Sequence, residues 1–148
     1  MKPTPQHSLD IVGLGIDLVA LPRFSTFASR HSDSLAEVFT PSGLAAADRH
    51  HSRDLYLATR WACKEAFLKA LGTGWGAGTQ WTDVEVAGRL LTPCVRLKGV
   101  AAQTARKLGA CRPIGSVGWA GPNVIALALL ARTARHSEGG REHEIPPR

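Results

Sequence analysis

The sequence predicts an α+β domain in which an antiparallel sheet packs on one long helix. Three observations carry that expectation. An apolar, β-branched run, "IVGLGIDLV" (11–19), lies near the start of the chain. A long periodic stretch (53–71) ends at "GTG", the glycine signature of a helix stop. Two further runs, "IGSVGWA" and "NVIALALLA", flank a "GP" turn and read as paired strands. Helices therefore fall early and strands mostly late, which separates this chain from an alternating α/β order. At 148 residues the chain is one domain by length and can bury a core without staples.

Each element has its own reason. The 11–19 run reads as a buried strand despite Gly13 and Gly15. Pro22 suits the first turn of a helix over 22–30. Thr40 followed by Pro41 is an N-cap and N1 pair, so a short helix follows within 40–50. The long helix covers 53–71, and "GTGWGAG" (72–78) is a loop. "WTDVEVA" (81–87) and "CVRLKG" (94–99) alternate as strands. "VAAQTARKLGA" (100–110) is helical and stops at Gly109. Strands over 114–120 and 123–131 close the pattern. The folded part spans 9–134, and the polar ends 1–8 and 135–148 are expected to be flexible tails with little to bury.

Composition excludes several classes. A net charge of +6 suits an anionic partner, though a merely soluble basic surface is equally compatible with charge alone. The basic residues are not clustered and no RRM, KH or helix-turn-helix signature appears, so no nucleic-acid partner is expected. Cys63, Cys94 and Cys111 are odd in number, far apart and without C-x-x-C, which argues against a disulfide framework or a zinc site and for a reducing, cytoplasmic setting. "MKPTPQHSLD" lacks the apolar region of a signal peptide, and "VIALALLA" is too short to span a bilayer, so no membrane role is expected.

The long helix contains a puzzle: "RWACKEAFLKALGTG" places Lys64, Glu65 and Lys69 among large apolar residues. At about 100° per residue, Leu57, Trp61, Leu68 and Leu71 form one bulky stripe. Ala58, Ala62, Ala66 and Ala70 form another, where something must approach closely. Glu65 and Lys69 share the edge between the stripes. Two readings stand: an intrahelical Glu65–Lys69 pair, or a carboxylate held for a partner or a metal.

Asp17 supplies a second acid, late in the first strand and after glycines that admit close approach. It either caps the following turn or serves a site. Two half-buried acids on separate elements suit Mg²⁺, which takes one or two protein carboxylates with waters and phosphate oxygens. "GTGWGAG" is neither a P-loop nor a Rossmann turn, since it lacks the lysine motif and follows a helix.

"GLGIDLVALPRF" followed some forty residues later by "RWACKEAFLKALGTG" resembles the holo-[acyl-carrier-protein] synthase family, the small 4′-phosphopantetheinyl transferases. The resemblance spans residues 11 to about 130, and the second motif matches at nearly every position. It implies the 4′-phosphopantetheinyl transferase-like fold. It implies transfer of 4′-phosphopantetheine from coenzyme A to a serine of an acidic acyl carrier protein, with release of adenosine 3′,5′-bisphosphate. By the same resemblance Asp17 and Glu65 bind Mg²⁺, Lys69 holds phosphate as a catalytic partner, and Arg60 lies near the coenzyme. Arg53, Gly72, Thr73, Pro93, Ser116 and Trp119 fall at coenzyme-side positions, and Arg23 meets the carrier's acidic helix. The family's trimer, with active sites between subunits, would account for the alanine stripe. Positioning and charge neutralisation suffice for such a transfer. No histidine lies near either motif, so a metal-organised water or Glu65 itself would take the serine proton.

The chain also departs from the family pattern. Ala20 stands where a glutamate is usual, and Trp119 where a phosphate-contacting histidine is expected, unless that indole merely fills core. The basic pair before the long helix is reduced to His51 and Ser52, with Arg53 next door, and the G-x-P turn becomes "GRLLTP". The metal half of the expected site is intact and the phosphate-gripping half is weakened. A working transferase with a modified coenzyme pocket is the first expectation. A divergent member that binds a pantetheine or phosphate ligand without transferring it is the second.

Overall fold

The structure is a computed structural model that describes residues 9–74 and 78–134. The two tails expected from the sequence, and part of the 72–78 loop, lie outside the described residues. The order is β1 (Leu9–Ala20), α1 (Leu21–Arg30), α2 (Leu35–Val38), α3 (Pro41–Asp48), α4 (Arg53–Leu71), a 3-10 turn (Trp81–Asp83), β2 (Val84–Gly88), β3 (Pro93–Leu97), α5 (Gly99–Lys107), β4 (Arg112–Ala120) and β5 (Asn123–Thr133). Strands form an antiparallel sheet in the order β1-β5-β4 and a separate β2-β3 hairpin.

Local chemistry sets the boundaries. Thr40 accepts from the Gly43 amide and Pro41 takes the first helical position, as its sequence position requires. Gly72 ends α4 in the left-handed region at φ 71°, where a side chain would be strained. Two details differ from the sequence reading. The run at 81–87 starts as a 3-10 turn, because the Gln80 and Asp83 side chains each accept or receive a backbone bond across that turn. The single-turn α2 is too short to leave a periodic signal.

The core sits between α4 and the inner face of the sheet. Leu57, Phe67, Leu68 and Leu71 of α4 are buried, together with Val117, Val124, Ala126, Ala128 and Leu130 of the sheet. β1 lies directly over the alanine stripe: a Cβ added at Gly15 would collide with the Ala66 carbonyl oxygen, and one at Gly13 with that of Ala70. Strand and helix backbones touch here, which explains both the glycines and the alanines. The alanine stripe is therefore covered by the chain's own first strand, not by another subunit as the trimer argument supposed. Trp61 also leaves the expected stripe. It is only partly buried and stacks on Trp81 at 4.9 Å between ring centroids.

Gly15→Ala is expected to lower stability by about 2 kcal/mol or more, because rigid backbone leaves a methyl no room. Denaturant unfolding followed by circular dichroism measures it. A variant within 0.5 kcal/mol of the parent, as is usual for a surface change, would show that β1 does not press on α4.

Candidate functional site

Contact between β1 and α4 sets three charged groups side by side. Asp17 points from the inner face of β1, since it pairs with Ala126, itself buried toward α4. Lys69, in the last turn of α4, reaches over and binds Asp17 Oδ1 at 2.7 Å and the Ile16 carbonyl at 3.0 Å. Asp17 thus caps no turn, and Lys69 pairs across elements instead of with Glu65. Among the described residues Glu65 is in no ion pair. Burial raises the Glu65 pKa above the usual carboxylate value, the Asp17 charge raises it further, and Lys69 pulls it back in part.

These acids open into a cavity of about 450 Å³. Asp17 and Glu65 occupy its floor, Arg23 and Ala20 its rim, and Phe24, Phe27 and Trp61 its wall. The aromatic wall is a packed unit: Trp61 lies 5.9 Å from Phe24 and 5.7 Å from Phe27 in edge-on geometry. Composition reading missed it, although Phe24 and Phe27 stand three apart on one helix face beside Arg23, a signal available in the sequence. The cavity joins polar oxygens to an apolar wall and so suits a ligand with a phosphate end and an aliphatic arm. Asp17 and Glu65 could hold a divalent cation: both offer hard oxygen donors, and their mutual repulsion is what such an ion relieves. No group of three or more metal-ligating side chains occurs among the described residues, and Ala20 leaves the rim without a third acid.

Other expected site residues lie elsewhere. Arg60 is buried at 2% exposure, donates to the Gly88 and Arg89 carbonyls, and stacks on Tyr56 at 4.4 Å. It braces the β2–β3 turn within the chain. Lys64 is likewise buried, donating to the Trp81 carbonyl at 2.8 Å and to the Val84 carbonyl, and burial lowers its pKa to about 8. Arg53 pairs with Asp48 on the surface, and Gly72 and Thr73 follow α4. Pro93 opens β3, its ring 3.3 Å from where a Gly115 Cβ would sit. Ser116 pairs with Leu127, which pairs with Ile16, so it lies on the sheet face opposite Asp17. Trp119 shares a row with Val124 and Val19 and is 50% exposed, so it is not a core filler.

A family profile described as the 4′-phosphopantetheinyl transferase superfamily (ACPS) matches residues 13–107, the span that carries Asp17, Arg23, Glu65 and Lys69. The chain belongs to that superfamily. A holo-[acyl-carrier-protein] synthase from Solibacter usitatus is 42% identical over 101 residues, covering 67% of this chain and 81% of that protein. The solved ACPS–CoA complex from Chronobacterium ammoniagenes superposes with a TM-score of 0.69 at 30% identity, over 86% of this chain and 99% of that one. The holo-[acyl-carrier-protein] synthase of Neisseria meningitidis gives 0.72 at 26% identity, over 82% and 98%. The transferase fold and the enzymatic class expected from the two motifs are thereby established.

In this transferase the Glu65 carboxyl should titrate above the ordinary carboxylate range. Its raised pKa means that the folded chain holds this proton more tightly than the unfolded one. Ionised Glu65 therefore costs stability at neutral pH, and the cost lifts as pH falls through the folded midpoint. Asp17→Asn removes the second cause and should lower that midpoint, read by carbon NMR of the labelled carboxyl. An unmoved midpoint would show that the two acids do not feel each other.

Proposed function

We propose that the Asp17–Glu65 cavity transfers 4′-phosphopantetheine from coenzyme A to a serine hydroxyl of an acidic acyl carrier protein, leaving adenosine 3′,5′-bisphosphate. The observation that carries this reading is the convergence of Asp17, Glu65 and Arg23 at one cavity with an apolar wall, with Lys69 bound to Asp17. Asp17 and Glu65 would hold Mg²⁺, which when bound neutralises phosphate charge and makes the phosphorus more electrophilic. Lys69 is half-exposed and already at Asp17, so it can exchange that carboxylate for a phosphate oxygen. Phe24, Phe27 and Trp61 give the pantetheine arm an apolar surface and keep water from it. Among the described residues no histidine lines the cavity. A metal-organised water or Glu65 itself would take the serine proton. Arg23, exposed at the rim, presents a positive charge where an acidic helix would deliver its serine.

The enzyme works as a homo-oligomer, a trimer by its family pattern, through the outer face of its sheet. Three rows line that face: Leu14–Leu129–Ile114, Ile16–Leu127–Ser116 and Leu18–Ile125–Gly118. Leu14, Ile16 and Leu18 are each more than half exposed, an apolar patch that a monomer would rarely leave open. Burying this face would also carry Ser116 into an interface, the route by which that serine could meet a coenzyme held in a neighbouring cavity. The setting is the cytoplasm: Cys63, Cys94 and Cys111 are free thiols, and no described helix is long and apolar enough to cross a membrane.

Asp17→Ala and Glu65→Ala should each cut Mg²⁺-dependent transfer by about a hundredfold or more while circular dichroism stays unchanged. Mass spectrometry of an apo carrier incubated with coenzyme A follows the added phosphopantetheine. Full activity in either variant would remove that residue from the site. Complete inactivity of the parent on every carrier tried, with coenzyme A still bound, would favour the divergent reading.

Arg23→Glu should weaken the carrier far more than coenzyme A, with a shallower salt dependence. Equal losses for both would show that Arg23 does not face the carrier. Ile16→Glu should shift light scattering from trimer to monomer. A parent enzyme that is monomeric at micromolar concentration under turnover would refute the assembly.

A further inference from the structure

A second groove lies at the other end of the sheet. β3 and β4 meet at Pro93 and Gly115, and the Val117 amide donates to the Leu91 carbonyl. β3 and β4 belong to different sheets, and a gap between them runs beside Val95 to Leu97 and Cys111 to Pro113. α5 covers the gap only with the small side chains of Ala102 and Ala105. A cavity of about 310 Å³ remains, floored by Leu97, Ala105 and Leu130. Gly109, at φ 73°, turns the chain so that Arg106 of α5 and Arg112 of β4 come to the same rim, and Arg96 of β3 completes it.

Charge makes this groove unusual. Among the described residues no carboxylate lines it. Among the described residues none of the three arginines is in an ion pair. Glu85 stands across the ladder from Arg96, but it is bound by Lys98 at 2.7 Å. Three exposed arginines beside an apolar floor offer paired N–H donors that fit carboxylate or phosphate oxygens. The volume falls at the lower end of small-ligand sites, about 300 Å³ upward. Asp17 and Arg112 pair with β5 at Ala126 and Ala131, five residues apart, or roughly 17 Å along a strand. The groove is thus separate from the catalytic cavity.

We propose that the groove ringed by Arg96, Arg106 and Arg112 binds an amphiphilic anion, a carboxylate or phosphate head on a short apolar chain. The head sits among the guanidiniums and the chain lies on Leu97, Ala105 and Leu130. Calorimetric titration of the full chain below the micelle threshold tests this without turnover, so its outcome is independent of the transfer reaction. Octanoate and octyl phosphate are the two head-group arms, and the tighter of them identifies the natural head. At least one should saturate at one molecule per chain. Octanol and inorganic phosphate, which lack head or tail, should each bind about tenfold more weakly or worse. Arg106→Gln and Arg112→Gln should each weaken the better ligand by about tenfold and leave transfer to the carrier unchanged in its absence. The assignment is overturned if neither amphiphile saturates by millimolar concentration or if octanol binds as well. It is equally overturned if both arginine variants, shown folded by circular dichroism, bind like the parent.

Discussion

Backbone contact between β1 and α4 is the constraint on which the site depends. Gly13 and Gly15 have no side chain to hold the strand away, and Ala66 and Ala70 offer carbonyls close to the helix surface. The strand then runs near enough for Asp17 to reach Lys69 at 2.7 Å and to act on Glu65 through charge. Larger residues at any of these positions would separate the acids, and two distant carboxylates cannot share one cation. The small residues are structural in place and functional in consequence.

The other side of α4 is fixed by buried cations. Arg60 and Lys64 are both almost fully buried, and their hydrogen-bond partners are main-chain carbonyls, not carboxylates. Carbonyl dipoles satisfy the donors but repay only part of the lost hydration, which is why Lys64 is pulled down to about 8. Each cation anchors the helix to the 3-10 turn or the β2–β3 hairpin. Through Lys64 and the Trp81 carbonyl, Trp81 is held where it stacks on Trp61 and backs the cavity wall. The adjacent Lys64 and Glu65 therefore serve opposite sides of one helix. The neighbouring Cys63 thiol is fully buried, and that burial pushes its pKa up to about 12.

The three-stranded sheet divides its labour by face. Its inner rows carry glycine, alanine and valine and pack on α4, while Asp17 closes the row nearest the cavity. Its outer rows carry mostly leucine and isoleucine, and among the described residues nothing covers Leu14, Ile16, Leu18 or Ile125, which stay exposed. Strand alternation makes this inevitable once register is set: Ser116 and Trp119, three apart, must point to opposite faces. Ser116 and Trp119 of one subunit therefore do not face the same side of the sheet.

Periodicity and punctuation determined most of the secondary elements, down to the bounds of α4 and the Thr40–Pro41 start of α3, though not the single-turn α2 or the 3-10 turn at Trp81–Asp83, because helix caps and glycine stops act within a few residues. Two local motifs likewise singled out Asp17, Glu65 and Lys69, which stand on strongly patterned elements and lie side by side in the structure. Tertiary structure alone decided how they pair. Glu65 and Lys69 are one turn apart, yet Lys69 turns to Asp17, fifty-two residues away in sequence, because strand packing brings that carboxylate within 2.7 Å. It also decided that Arg60 braces a turn, that the alanine stripe meets β1, and that Trp61 joins a cavity wall and not the core. Each depends on which surface faces which, a long-range matter that helix period and residue type do not encode.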